Sequence, residues 1–158
     1  MTQVQPFNPW DSEVQTVLCH AKLVHPVRNL TDDEILTAMR LLQLYEQLGC
    51  GTYRQVVIGR KDRRLELVGD QDRFLAMLLD CHLRGVLLTS KRCRSLFGGT
   101  PYRWRKIGRT CPITDVASAV SEFGSGYYGR GWVIRPHIKR LIKWIIENYR
   151  PGINNLNL

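Results

Sequence analysis

The segment Thr31-Asp-Asp-Glu34 constrains the fold more than any other, because it has the form of a helix capping box. In such a box, threonine at the N-cap and glutamate three residues later satisfy two free backbone N–H groups. Apolar residues then recur with a helical period at Ile35, Ala38, Met39, Leu42 and Tyr45, and the stripe is widened by Leu41, Leu44 and Leu48. Glycines follow at positions 49 and 51. The sequence therefore predicts a helix over residues 32–48 with a wide apolar face.

Four other segments combine helical periodicity with start signals, so about five helices are expected in all. Their predicted caps or first residues are Ser12 (with Gln15 as a capping box), Asp70, Thr114 and Pro136. Their apolar stripes are, in the same order, Val14, Val17, Leu18 and Ala21; Phe74, Met77, Leu78 and Cys81; Val116, Ala119, Val120 and Phe123; and Ile138, Leu141, Ile142, Ile145 and Tyr149. The expected ends are His25-Pro26, Gly85, Gly124 and Arg150-Pro-Gly.

Shorter segments have the character of strands. Residues 52–58 and 64–68 predict a β-hairpin with a basic loop, and residues 102–107 alternate bulky and basic side chains as an exposed strand does. Residues 86–90 fit either a strand or the end of a helix. The prediction is an α+β fold dominated by helices, with a small β-hairpin or antiparallel sheet. One compact domain is expected over residues 11–150, with a flexible tail at 1–10 and another at 151–158.

Positive charge is concentrated in the later two thirds of this +9 chain. Residues 1–50 carry three basic and six acidic side chains, residues 51–100 carry ten and five, and residues 101–158 carry ten and three. A basic surface of this kind attracts polyanions, either nucleic acid or an acidic membrane face. The same basic runs also suit a nuclear-localisation signal, and the apolar and basic faces of the last helix suit membrane contact.

Basic and aromatic residues form the candidate nucleic-acid site. Its members are Arg60, Lys61, Arg63, Arg64, Lys91, Arg92, Arg94, Tyr102, Arg103, Trp104, Arg105, Lys106, Arg109, Tyr128, Arg130, Lys139, Arg140 and Lys143. On a strand, Tyr102, Trp104 and Lys106 would share one face, which would make a stacking platform beside phosphate contacts. We therefore expect a non-enzymatic protein that binds RNA or single-stranded DNA, provided that these residues converge on one surface.

The glycines at 124, 126 and 129 match the G-x-G-x-x-G pattern of dinucleotide-binding loops. In those loops the glycines follow a strand and precede a helix, whereas here they follow a predicted helix and precede the extended stretch at 132–134. The pattern therefore predicts a hinge, with Gly131 allowing the chain to re-enter the core at Trp132.

Neither a metal site, a cofactor nor an active site is expected. The sequence lacks the common hydrolase, metalloprotease and P-loop motifs, and its cysteines and histidines lack zinc-ligand spacing apart from His20 and His25. The start of the chain does not resemble a secretory signal, and no apolar run is long enough to span a membrane. Reduced thiols and a cytoplasmic or nuclear location are therefore expected.

Residues 113–123, followed by Tyr127-Tyr128-Gly129 and by Arg135-Pro136 before a helix, resemble a short stretch of vesiculovirus matrix proteins. The later β-rich part of that family has no counterpart here. The resemblance implies an alternative function, a matrix-like or accessory protein that self-associates and contacts an acidic membrane or a host partner. The apolar face of the 32–48 helix would then meet a second copy or another protein.

Overall fold

The computed structural model has six helices and a two-stranded antiparallel sheet within the residues that it describes, which are 5–48, 69–120, 128–150 and 152–153. The helices are α1 (Ser12–Leu23), α2 (Asp32–Leu48), α3 (Asp70–Arg84), α4 (Ser90–Phe97), α5 (Pro101–Thr110) and α6 (Pro136–Tyr149). The strands are β1 (Thr114–Val120) and β2 (Tyr128–Ile134). The predicted class, α+β with a helical majority, is confirmed.

The α2 helix has the predicted bounds and the predicted capping box. The Thr31 hydroxyl accepts a hydrogen bond from the Glu34 N–H at 3.1 Å, and Glu34 Oε1 accepts one from the Thr31 N–H at 2.9 Å. Six apolar side chains of α2 are buried inside the chain itself: Ile35, Ala38, Met39, Leu41, Leu42 and Leu44. Packing within the monomer thus accounts for the wide apolar face.

The predicted helices α1, α3 and α6 are confirmed, with small changes at their caps. Asp11 caps α1 instead of Ser12, since its Oδ1 accepts a hydrogen bond from the Glu13 N–H at 2.9 Å. Gly69 occupies the N-cap of α3, so that Asp70 is already helical. Gly85 ends α3 in the left-handed region at φ 71°, and Pro136 is the first residue of α6.

Four helices, α1, α2, α3 and α6, pack together and form what we call the helical core. Their apolar stripes meet in its interior, where Phe74, Met77 and Ile142 are buried. Residues 5–9 lie against this core: Phe7 packs on it, and the Gln5 carbonyl accepts a hydrogen bond from Arg40. The predicted domain and tail limits stay predictions.

The predicted strand at 102–107 is wrong, because these residues belong to α5. Thr100 caps the helix by accepting a hydrogen bond from the Arg103 N–H at 3.2 Å, and Pro101 occupies its first position. Proline has φ fixed near the helical value and no N–H to lose there, so it favours this start. Trp104 adds tertiary packing that the alternation of side chains did not reveal.

The predicted helix that begins at Thr114 is also wrong, because residues 114–120 form β1. The strand pairs with β2 in antiparallel register, with Thr114 opposite Ile134 and Ala117 opposite Gly131. The stabilisation of β1 comes from its pairing with β2, a later segment of the chain. Local periodicity does not detect a pairing of this kind. Residues 124–127 of the predicted hinge and the predicted hairpin at 52–68 lie outside the described residues.

Leu88 joins β2 on the side opposite β1. Its backbone exchanges two hydrogen bonds with Trp132, at 2.8 and 3.2 Å, and α4 begins two residues later. Gly131 permits this approach, since a Cβ there would lie 2.6 Å from the Leu88 carbonyl oxygen. Gly108 of α5 likewise leaves room for the Trp132 ring, which a Cβ would meet at 2.1 Å. Residues 88–120 and 128–134 thus form one packed arrangement, called the α4–β2 unit below.

Candidate nucleic-acid interface

The α5 helix presents a basic face to solvent and a narrow apolar face to the core. Tyr102, Arg105, Lys106 and Arg109 are exposed, at the i, i+3, i+4 and i+7 positions that share one side of a helix. Trp104 and Gly108, on the opposite side, are buried. The helical conformation thereby collects cations that a strand would have divided between two faces.

A groove of about 710 Å³ runs between α5 and the sheet, and we call it the arginine groove. It is lined by Ser90, Tyr102, Arg105, Arg109, Val116, Arg130, Gly131 and Trp132. Two arginines come from α5 and the third from β2, so the fold brings together cations that are distant in sequence. Four of the eighteen residues of the predicted site, Tyr102, Arg105, Arg109 and Arg130, thus line one groove.

The arginine groove has no compensating negative charge among the described residues. None of its lining residues is acidic, and Arg105, Arg109 and Arg130 form no ion pair within the described part of the chain. Lys106, beside them on α5, also has no ion pair there. The positive charges repel one another, and their combined field attracts anions from solution.

Trp104 is not part of this surface, which corrects the prediction that it stacks on bases. Its side chain is 0 % exposed, and its indole N–H donates a hydrogen bond to the Gly98 carbonyl at 2.8 Å. Trp132 lines the groove but is also buried. Tyr102, 65 % exposed, is the aromatic side chain that the groove offers to a ligand.

Two of the predicted site residues are engaged with carboxylates of α3. Arg103 pairs with Asp70, and Arg92 lies 3.9 Å from Asp80. These contacts offset part of their charge and hold α4 and α5 against the core. Their neighbours Lys91 and Arg94 are exposed on α4 and have no ion pair among the described residues.

Of the remaining predicted residues, three lie on another helix and five are not fully described. Lys139, Arg140 and Lys143 lie on α6, which packs on α1 and α2. The backbone of Tyr128 pairs within the sheet, opposite Val120, but its side chain is not described. Arg60, Lys61, Arg63 and Arg64 fall outside the described residues.

Four groove residues were missing from the sequence-based site: Ser90, Val116, Gly131 and Trp132. Val116 was expected on the inner face of a helix, but on β1 its side chain is 63 % exposed. A sequence signal for the groove did exist, since Pro101 after Thr100 indicates a helix start. With α5 read as a helix, Tyr102, Arg105 and Arg109 fall on one face.

The described cysteines are free thiols. Burial raises the pKa of Cys81 and of Cys111, and raises that of Cys93 to about 12. These three thiols are therefore protonated at neutral pH. The described residues contain no cluster of three histidine, cysteine or acidic side chains that could hold a metal ion, and none of their helices is both long and apolar enough to cross a membrane.

Comparisons with known proteins do not identify a relative. The resemblance of residues 113–136 to vesiculovirus matrix proteins gains no support from them. This chain matches no protein-family model, no curated protein and no solved structure.

Proposed function

We propose that this protein binds nucleic acid through the arginine groove and the exposed face of α5. The observation that carries the proposal is the convergence of Arg105, Arg109 and Arg130, from a helix and a strand, without an acidic partner among the described residues. Unpaired guanidinium groups side by side destabilise a fold slightly, and they suit a ligand that brings several negative charges.

The sugar–phosphate backbone is such a ligand. A guanidinium group donates two parallel hydrogen bonds to a phosphate, and successive phosphates along a strand can meet successive arginines. The groove also has a hydroxyl at Ser90, the first residue of α4, where the helix dipole favours negative charge. Each neutralised phosphate releases condensed counterions, so binding should weaken steeply as salt rises.

The competing function, a self-associating or membrane-bound matrix-like protein, has less support. It required the apolar faces of α2 or α6 to be available to another chain or to a membrane. On α6, Ile138, Leu141, Ile142 and Ile145 are buried in the helical core, as is the apolar face of α2. Both faces are therefore already used within the monomer.

The test compares two triple variants with the same net charge. One replaces Arg105, Arg109 and Arg130 with alanine, and the matched control replaces Lys139, Arg140 and Lys143. Binding of fluorescently labelled nucleic acid is measured by anisotropy between low and physiological salt. We expect the groove variant to bind more weakly. The plot of log Kobs against log salt has a negative slope, and its magnitude should fall by about three in the groove variant and stay at the wild-type value in the control.

Two results would overturn the proposal. If the wild-type protein fails to bind duplex or single-stranded probes at low salt, the groove is not a nucleic-acid site. If the two triple variants lose equal affinity, binding follows net charge alone and the geometry of the groove contributes nothing.

A further inference from the structure

We infer that the nucleic acid is double-stranded DNA, with α5 lying in its major groove and one phosphate strand in the arginine groove. This inference rests on the proposed function and adds the class of ligand and the mode of contact. It departs from the single-stranded ligand that the sequence favoured, for reasons of exposure and shape.

The first reason is the long face that α5 exposes to solvent, which we call the ridge. Its exposed residues cover close to half of its circumference, with Tyr102 and Lys106 near the middle of the exposed arc and Arg105 and Arg109 on the side of the sheet. An α-helix with side chains is about 10–12 Å across, and the major groove of B-form DNA is about 12 Å wide. An exposed helix face of this width matches that groove.

The second reason is the connection between α4 and α5. Only Gly98, Gly99 and Thr100 separate the two helices, and both glycines have positive φ, at 74° and 86°. Helix-turn-helix motifs, in which the second helix reads DNA, join their two helices by a turn of this length that often contains glycine. The residues near the start of that second helix reach the base edges. Tyr102 is the second residue of α5.

The third reason is the place of the arginine groove beside this ridge. When a helix enters the major groove, the sugar–phosphate strands pass along both of its sides. On the sheet side of α5, a strand would pass between Arg105 and Arg109 on one wall and Arg130 on the other. Backbone contacts of this kind set the position of the protein, and the ridge is left to contact the bases.

The same features disfavour the other nucleic acids. Single strands are bound by successive bases stacking on aromatic side chains, but Trp104 and Trp132 are buried. Double-stranded RNA has a major groove too deep and narrow for a helix to enter. A ridge with one exposed tyrosine and flanking arginines is therefore better matched to a DNA duplex.

The first experiment measures the binding of three probes of equal length and random sequence at the same salt: duplex DNA, duplex RNA and single-stranded DNA. We expect duplex DNA to bind about tenfold more tightly than either alternative. If RNA or single-stranded DNA binds as well or better, this inference fails while the proposed function stands. If none of the probes binds, the proposed function itself has failed.

The second experiment locates the helix. Sites are selected from a randomised DNA duplex, and guanines in the selected duplex are methylated at N7, an acceptor that faces the major groove. We expect methylation at one or more positions to weaken binding about tenfold. Selection is then repeated with Tyr102→Ala and Lys106→Ala, and with Lys143→Ala on α6 as the control. Preserved binding after N7 methylation throughout the site would overturn the placement of α5.

The variants separate base contact from a general loss of charge. Tyr102→Ala removes no charge, so we expect an altered base preference with an unchanged salt slope. Lys106→Ala should change base preference at a neighbouring position, and Lys143→Ala should change none. Base preferences identical to wild type in both α5 variants would contradict the inference, provided that circular dichroism shows that both are folded.

Discussion

The helical core and the α4–β2 unit differ in how far their arginines are paired with carboxylates. In the core, Arg40 is buried and binds both carboxylate oxygens of Asp72, with distances of 2.9 and 2.5 Å, while Arg150 pairs with Glu46. In the α4–β2 unit, Arg92 and Arg103 contact carboxylates of α3, but Arg105, Arg109 and Arg130 have no acidic partner among the described residues. The outward face of α6, with its lysines, is the exception on the side of the core.

Under the proposed function, this difference separates charge that supports the fold from charge that contacts the nucleic acid. A buried guanidinium group requires a carboxylate, because an unpaired charge in the interior is strongly destabilising. Exposed arginines on one wall of a groove carry no such requirement, and their mutual repulsion costs little while water screens it. We therefore expect substitutions in the two regions to separate cleanly into effects on stability and effects on binding.

The largest expected contrast is between two aromatic residues of α5. Trp104→Ala removes a fully buried side chain and should lower the free energy of unfolding by about 4 kcal/mol. Tyr102→Ala removes an exposed side chain and should change it by less than about 0.5 kcal/mol. Urea denaturation followed by circular dichroism measures both. Comparable losses in the two variants would mean that the inward and outward faces of α5 are assigned wrongly.

A smaller contrast is expected between two arginines. Arg40→Met leaves the half-buried Asp72 carboxylate without its partner and should destabilise the fold by about 3 kcal/mol. Arg109→Met removes a cation from the arginine groove and should leave the free energy of unfolding within about 0.5 kcal/mol of wild type. Denaturation at low and high salt checks both values. A loss of more than about 1 kcal/mol for Arg109→Met would show that the groove arginines support the fold.

The helical core was predictable from sequence because local and tertiary preferences agree there. Thr31 and Glu34 cap α2, its apolar residues recur at the helical period, and the same residues are buried. Capping, periodicity and burial all favour the same helix, and agreement of this kind is the condition under which a sequence specifies its fold well. Only cap positions, such as Asp11 in place of Ser12, were off by one residue.

In the α4–β2 unit, α5 and β1 were read wrongly because the spacing of their bulky and apolar residues matches the other type of element. In α5 the inward positions are Trp104, Ile107 and Gly108. Gly108 does not register as an apolar position in the sequence, although its lack of a side chain makes room for Trp132. In β1 the pairing partner lies beyond the glycine-rich segment, so the strand depends on a distant contact. Surfaces that keep cations exposed leave little periodicity to detect. The basic residues could therefore be identified from the sequence, but the proximity of Arg105, Arg109 and Arg130 became visible only in the structure.

The smallest expected effect concerns pH and the carboxylate of Glu34 in the helical core. Burial raises the pKa of Glu34, but hydrogen bonds from His137, at 2.6 Å, and from Thr31 outweigh this effect, so that the pKa lies below its ordinary value. Arg135 also faces this carboxylate at 3.8 Å. The unfolded chain therefore binds the proton more readily, and the stabilisation is complete above the unfolded pKa and is lost as the pH falls through the folded one.

Glu34→Gln tests this contribution and keeps a side chain that can still complete the capping box. Its free energy of unfolding should fall less steeply than that of wild type between about pH 5 and pH 3. Glu147→Gln, on the exposed face of α6, serves as the control and should keep the wild-type slope. Parallel profiles for wild type and Glu34→Gln would show that the contact with His137 contributes no stability. Charge pairing in the core would then be weaker than its geometry indicates, and the contrast with the α4–β2 unit would rest on Arg40 and Asp72.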